Sequence, residues 1–151
     1  MSHLLGIPDV YNNFYDSTLR YELHPDTYFV FGSNLAGRHG KGAAFDALAY
    51  GATYGVGMRF SGQSYAIPTK DISIRTLPLE VIKRFVTEFV NLTNEEEGKH
   101  FFVTAVGTGL AGYKHSDIAP LFKGAKNCWF PLEWKPYVDC HLPIVYQPTV
   151  N

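Results

Sequence analysis

Cysteine is nearly absent from this chain, with Cys128 and Cys140 the two in 151 residues. That scarcity excludes a disulfide framework. Neither thiol has a second Cys or His at zinc-ligand spacing, since Cys140 and His141 are adjacent and too tight to share one ion. The pair reads as ordinary thiols in a reducing compartment. An excess of one charge is also missing: 13 basic residues stand against 14 acidic ones, for a net charge of −1. Non-specific nucleic-acid binding depends on surplus Lys and Arg to displace counterions, so that class is excluded. A small phosphorylated ligand is not, because backbone donors hold phosphate without net positive charge. Apolar runs stay well short of the roughly 20 residues that a membrane-spanning helix needs. The segment Met1–Gly6 lacks the basic-then-apolar pattern of a secretory leader. The expectation is a soluble cytoplasmic protein with neither nucleic acid nor membrane as partner. Repeats, low-complexity tracts and linkers are absent, so residues 1–151 read as one domain.

Aromatic and glycine residues, by contrast, are plentiful. The chain holds 10 Tyr, 11 Phe and 2 Trp, is 46% hydrophobic and 18% charged. It therefore has the means to bury a core, with many Tyr rings suited to half-buried positions. Residues 1–26 show no clean period and read as an irregular arm or edge element, packing through Tyr11, Phe14, Tyr15 and Leu19. The core is expected over about 27–134. Thr27–Gly32 is β-branched and aromatic, a buried strand ending on glycine. A loop from Ser33 to Gly42 follows, then a helix over Ala43–Tyr50 with Ala44, Ala47 and Leu48 on one apolar face. A short strand is expected around Val56, and a buried one over Ser64–Pro68, ended by Pro68 and the polar Thr69–Asp71. Leu77–Pro78 opens a helix in which Val81, Ile82, Phe85, Val86 and Phe89 recur at helical spacing to about Leu92. Asn91–Lys99 reads as a solvated charged loop. His100–Val106 is the strongest strand and runs straight into Gly107–Thr108–Gly109. A short helix over Ser116–Phe122 has Ser116 as its N-cap. Asn127–Pro131 reads as a last core strand, with an edge strand around Leu142–Tyr146. Strands alternating with helices specify an α/β domain with a parallel or mixed sheet.

Ligands of such sheets bind where strand carboxyl ends lead into helices, and two glycine-rich segments occupy that position. Gly32–Ala44 joins a strand to a helix, and its glycines allow positive φ and close approach of a ligand. Free amides at the helix start, together with its dipole, favour phosphate. It is not a P-loop, lacking the Gly-Lys-Ser/Thr ending, and it has no clear G-x-G-x-x-G. Val106–Tyr113 is the second segment; two such loops on neighbouring strands could clamp a diphosphate, with Tyr113 covering a sugar or base or else packing at the core edge. Asn34 has two readings, a hydrogen bond to sugar hydroxyls or a left-handed turn that Asn tolerates. Arg38, His39 and Lys41 could assist a phosphate or act as acid or base. Lys70 and Asp71 read most simply as an exposed ion pair. Spacing supports no Ser/His/Asp triad from Ser33, His39 and Asp46, and no catalytic carboxylate pair.

Tyr28–Ala44 resembles the first ligand loop of macro domains, in which a strand ends in asparagine, then glycines, then an alanine-rich helix. Ser64–Thr69 is similar in place to the family's next core strand, and Thr104–Tyr113 to its second loop. The segments Phe31-Gly32-Ser33-Asn34-Leu35-Ala36-Gly37 and Ile67-Pro68-Thr69-Lys70-Asp71 are also similar to small macro-like proteins of tailed bacteriophages. The resemblance spans roughly 27–134. It implies a three-layer α/β/α fold with a mixed sheet and binding of ADP-ribose or a relative, with no metal and no cofactor. It further implies hydrolysis of a derivative such as ADP-ribose 1″-phosphate or an ADP-ribosyl linkage. By position, Asn34 would meet the distal ribose and Tyr113 would stack on it. Gly40, Lys41 and Gly42 would line the first phosphate loop, flanked by Gly32, Ser33, Gly37, Arg38 and Ala43. Gly107, Thr108, Gly109 and Leu110 would hold the diphosphate, with Ala111 and Gly112 completing the second loop. Water would be activated between Asn34, His39 and the substrate's own phosphate. The Asp-Ile/Val-Thr signature that reads adenine in many macro domains is missing, and Asp9, Asp16 and Asp26 are poor substitutes. Basic Arg38, His39 and Lys41 would suit an additional terminal phosphate. Two other readings follow from the same residues: a binder without turnover, and a phage structural or interaction protein whose glycine loops only shape the fold.

Overall fold

Large side chains alternate along four short runs, and that alternation builds two cores on opposite faces of one sheet. The computed structural model describes residues 12–138. Its strands are β1 (Asn13–Tyr15), β2 (Thr27–Asn34), β3 (Arg59–Ser61), β4 (Ser64–Lys70), β5 (His100–Val103) and β6 (Cys128–Pro131). They lie in the order β1-β6-β5-β2-β4-β3, parallel throughout except for the antiparallel β3–β4 pair. Successive residues of a strand point to opposite faces. Register sets Phe29 beside Phe102 and Phe102 beside Trp129, and this row is buried with Phe31, Tyr15 and Ala66 on one face. Val30, Tyr65, Ile67, Phe101, Val103 and Phe130 are buried on the other.

Helix α1 (Gly42–Ala47) covers the first face through Ala44 and Ala47. The second face lies under α2 (Leu79–Glu95), α3 (His115–Ile118), the 3₁₀ turn Ala119–Phe122 and α4 (Lys135–Val138). The result is a three-layer α/β/α arrangement around a mixed sheet. In α2, Ile82, Val86, Phe89 and Thr93 repeat every three or four residues and form the buried stripe. Val81 and Phe85 flank it, partly buried.

Several boundaries differ from the expectation, each for a tertiary reason. The arm contributes β1 to the sheet: Phe14 is fully buried, Tyr15 donates its hydroxyl to the Val103 carbonyl, and Asn12 bonds both Ala125 and Cys128. Leu19 stays exposed. Tyr11, Cys140 and the strand expected around 142–146 lie outside the described residues. The strand expected around Val56 forms instead at Arg59–Ser61. β4 runs through Pro68 to Lys70, because β3 pairs only with Ser64–Ala66 and leaves no neighbour to miss the proline's N–H. β5 stops at Val103, where both the amide and the hydroxyl of Thr104 turn to the Val30 carbonyl.

α2 persists to Glu95, through part of the expected charged loop. Thr93 falls on its buried stripe, and Asn94 bonds the Gly124 carbonyl. α1 ends at Ala47 and passes into a 3₁₀ turn, which leaves Leu48 exposed. α3 begins one residue before Ser116, with the Asp117 carboxylate accepting the Lys114 amide.

The connections matter most for the site. β2 leads through α1 to β4 on one side, and the chain returns through α2 to β5 on the other side of β2. The helices that follow β2 and β5 therefore lie on opposite faces. At such a switch point the carboxyl ends of adjacent parallel strands open a crevice.

Candidate functional site

Both glycine-rich segments face one cleft of about 850 Å³ at the carboxyl ends of β2, β4 and β5. The first segment lines it with Gly32, Ser33, Asn34, Arg38, Gly40, Lys41, Gly42 and Ala43. The second contributes Gly107, Thr108, Gly109, Leu110 and Ala111. Gly32 is what lets the two meet. A Cβ at that position would sit 3.3 Å from the Gly107 amide nitrogen and 3.4 Å from the Thr69 methyl, with no slack. A side chain there would require Gly107 or Thr69 to give way by a few tenths of an ångström.

Four of the expected residues do not line the cleft. His39 is 1% exposed and turns behind the loop, its Nε2 lying 3.0 Å from both the Thr53 and the Val56 carbonyl. Carbonyls only accept, so a neutral ring carries its proton on Nε2. Packed edge-on against Phe31 and Tyr54, it supports the loop's back and lies outside the cleft lining expected of an acid or base. Tyr113 donates its hydroxyl to the Leu77 carbonyl at 2.7 Å and packs against the larger core. That contact ties the second loop to Leu77 and leaves the ring outside the cleft lining. Gly37 sits at φ 70° with the Gly55 backbone pressed against it, so a Cβ there would overlap Gly55. Gly112 closes a turn on Gly109.

Asn34 is at the cleft, but most of its amide serves the loop. Nδ2 donates to the Arg38 carbonyl at 2.8 Å and Oδ1 accepts the Arg38 amide at 2.9 Å. One N–H and one lone pair remain for anything in the cleft. The buried Ser33 donates to the Gly57 carbonyl, and Thr69 donates to the Ser33 carbonyl. Thr108 donates to Ala105. The hydroxyls thus fasten strand ends and loops, and none is held by a base.

What remains available is cationic and amidic. Arg38, Lys41 and Lys70 border the cleft, no Asp or Glu lines it, and no ion pair engages these three among the described residues. Lys70 and Asp71 do not pair. The Asp71 carboxylate instead accepts the amides of Ser73 and Arg75. The amides of Gly40, Lys41, Gly42, Gly109, Leu110 and Ala111 have no protein acceptor among the described residues. α1 spans six residues, so its dipole adds little, and the expected helix-start contribution reduces to the loop amides themselves.

Asp26 lies at the amino end of β2, the opposite end from the cleft, and engages His24 and His100. Asp16 follows β1 at the sheet edge and bonds Thr18 through its carboxylate, which holds that carboxyl below its usual range. Neither borders the cleft. Among the described residues no cluster of three His, Cys, Asp or Glu could hold a metal ion, and no helix is long and apolar enough to cross a membrane.

Reading the two loops gave no lining role to Thr69 or Ile74, and for Lys70, at the end of its strand, it preferred a salt bridge to a place on the cleft rim. Lys70 carried a usable signal, since it ends a strand parallel to the one that feeds the first loop. Ile74 carried none: it reaches the cleft from a six-residue excursion between β4 and α2. No family model, curated protein or solved structure matches the chain.

Proposed function

We propose that this protein binds a nucleotide-diphosphate ligand of the ADP-ribose type, with the diphosphate between its two glycine-rich loops. One observation carries the reading: loops from adjacent parallel strands share a cleft bordered by three cations that, among the described residues, have no ion-pair partner and no carboxylate beside them in the lining. Loop amides and cations together suit phosphate oxygens, each charge-assisted bond being about twice as strong as a neutral one. The similarity of both loops to those of macro domains supports ADP-ribose as the first ligand to try. Arg38, Lys41 and Lys70 supply more positive charge than a diphosphate alone requires, which favours a ligand with a further terminal phosphate.

Binding without turnover is the better-supported form of this reading. Acid–base catalysis needs a group that can take and return a proton near neutral pH, and among the described residues no His, Asp, Glu or Cys lines the cleft. With His39 behind the loop, a hydrolytic reaction would have to draw its base from the ligand's own phosphate.

Calorimetry with ADP-ribose and ADP-ribose 1″-phosphate tests both statements. Tight binding is expected for each, with the 1″-phosphate tighter and its advantage lost in Lys41→Ala/Lys70→Ala. Equal affinity for the two would remove the terminal-phosphate preference, and absence of binding by both would remove the ligand class. Phosphate release from the 1″-phosphate at enzymatic rates would show that the cleft turns its ligand over.

A further inference from the structure

The cleft is not cationic all round. On the side where the 71–76 excursion meets the second loop, it is bordered by two exposed aliphatic side chains, Ile74 at 37% and Leu110 at 70% exposure. Exposed single aliphatics are ordinary on a protein surface, but Ile74 also has φ 65°. A β-branched side chain in the left-handed region is a genuine outlier. Such a conformation persists only where the surroundings over-determine it.

Here they do. Asp71 grips the excursion with four hydrogen bonds: its carboxylate accepts the Ser73 and Arg75 amides, its carbonyl accepts the Ile74 amide, and its own amide donates to Arg75. The excursion is then tied to the second loop, with Thr76 donating to the Ala111 carbonyl at 3.1 Å and Tyr113 to the Leu77 carbonyl at 2.7 Å. Glycine would take this φ freely. An isoleucine held there leaves a strained aliphatic group beside a phosphate-type cleft, on a loop bonded to the one that bears Leu110.

We infer that Ile74 and Leu110 form an apolar lip that grips the flat ring of the ligand's base, while Arg38, Lys41 and Lys70 hold its phosphates. This rests on the phosphate-binding reading of the cleft and adds the part of the ligand that reading leaves unassigned. The occupant follows from continuity: a ligand whose phosphates lie on the loops and whose other end is planar and weakly polar matches one cleft with a cationic and an aliphatic border. The lip recognises a ring face by contact, without the hydrogen bonds that would distinguish one base from another. It should therefore tolerate different bases.

The test compares ADP with ribose 5-diphosphate, which lacks the base, on the full chain by calorimetry. The wild type should bind ADP about ten-fold more tightly, a difference consistent with burying one ring face. UDP should bind within a few-fold of ADP. Ile74→Gly and Leu110→Ser should each lower the ratio of ADP to ribose 5-diphosphate affinity, and together bring it to one; the ratio is the readout because Leu110 also offers its backbone amide to the phosphates. Ile74→Gly removes the strain, so its melting temperature should hold or rise. A loss of base preference at undiminished stability would therefore not be a folding defect. Equal binding of ADP and ribose 5-diphosphate by the wild type, or an undiminished ADP preference in the double variant, overturns the lip alone. Failure of both compounds and of ADP-ribose to bind overturns the phosphate cleft and the lip with it.

Discussion

Asn34 holds both backbone polar groups of Arg38, its carboxamide donating to the Arg38 carbonyl at 2.8 Å and accepting the Arg38 amide at 2.9 Å. The two bonds close the first loop into a ring and bring Arg38 to the cleft. Asn34→Asp keeps the acceptor, loses the donor and adds a negative charge beside an anion site. Its expected effect is a loss of ADP-ribose affinity of at least ten-fold, against about 1 kcal/mol of stability. Calorimetry and urea denaturation, run on the same preparation, measure the two. A larger stability loss with unchanged affinity would make Asn34 purely a loop residue.

His39 makes the opposite prediction. His39→Phe preserves an aromatic ring between Phe31 and Tyr54 but leaves the Thr53 and Val56 carbonyls without their donor. Stability should fall by about 1–3 kcal/mol, and ligand affinity of the folded protein should change little. A variant with normal stability and lost binding would return His39 to the site.

Gly32 of the first loop lies against Gly107 of the second. Gly32→Ala places a methyl 3.3 Å from the Gly107 nitrogen, at an expected cost of about 1–2 kcal/mol from overpacking. Because the methyl separates the loops themselves, ADP-ribose affinity should fall as well. Thermal melting with and without ligand checks both parts: the ligand-induced rise in melting temperature should shrink along with the base value.

Tyr65 links the core to alkaline pH. Burial, with the Glu88 charge adding to it, pushes its hydroxyl up to about 12, whereas an unfolded tyrosine ionises near 10. The folded state therefore favours the neutral phenol. Stability is fully present below about pH 10 and declines as pH rises towards 12, by an order of 2–3 kcal/mol for this group. Tyr15, raised well above its ordinary value by burial, acts with the same sign. Denaturation midpoints across this range should drop, and Tyr65→Phe should drop less. A flat profile in the wild type would contradict the burial argument.

Local sequence was enough to read most of the framework. The aromatic and β-branched runs at Thr27, Ser64, His100 and Asn127 became β2, β4, β5 and β6, because a short continuous apolar run bounded by turn residues marks a strand buried on both faces. The stripe Ile82–Val86–Phe89 read as a helix by its spacing of three and four residues. Glycine clusters directly after two strands marked where loops begin, since a chain leaving a buried strand for a turn needs conformations that side chains resist.

The tertiary structure decided which loops meet and which side chains face the cleft. Nothing local in Gly32–Ala44 or Val106–Tyr113 states that β2 and β5 are neighbours; that follows from how α1 and α2 pack on opposite faces. His39 and Tyr113 looked like site residues because they sit in glycine-rich loops, yet their partners are 14 to 36 residues away at Thr53, Val56 and Leu77. A loop residue's direction is set by the hydrogen bonds available once the chain has folded back on itself. The sequence by itself determined two glycine-rich loops at strand ends, while the fold made them one cleft, turned two aromatic side chains inward, and brought Lys70 and Ile74 to its border.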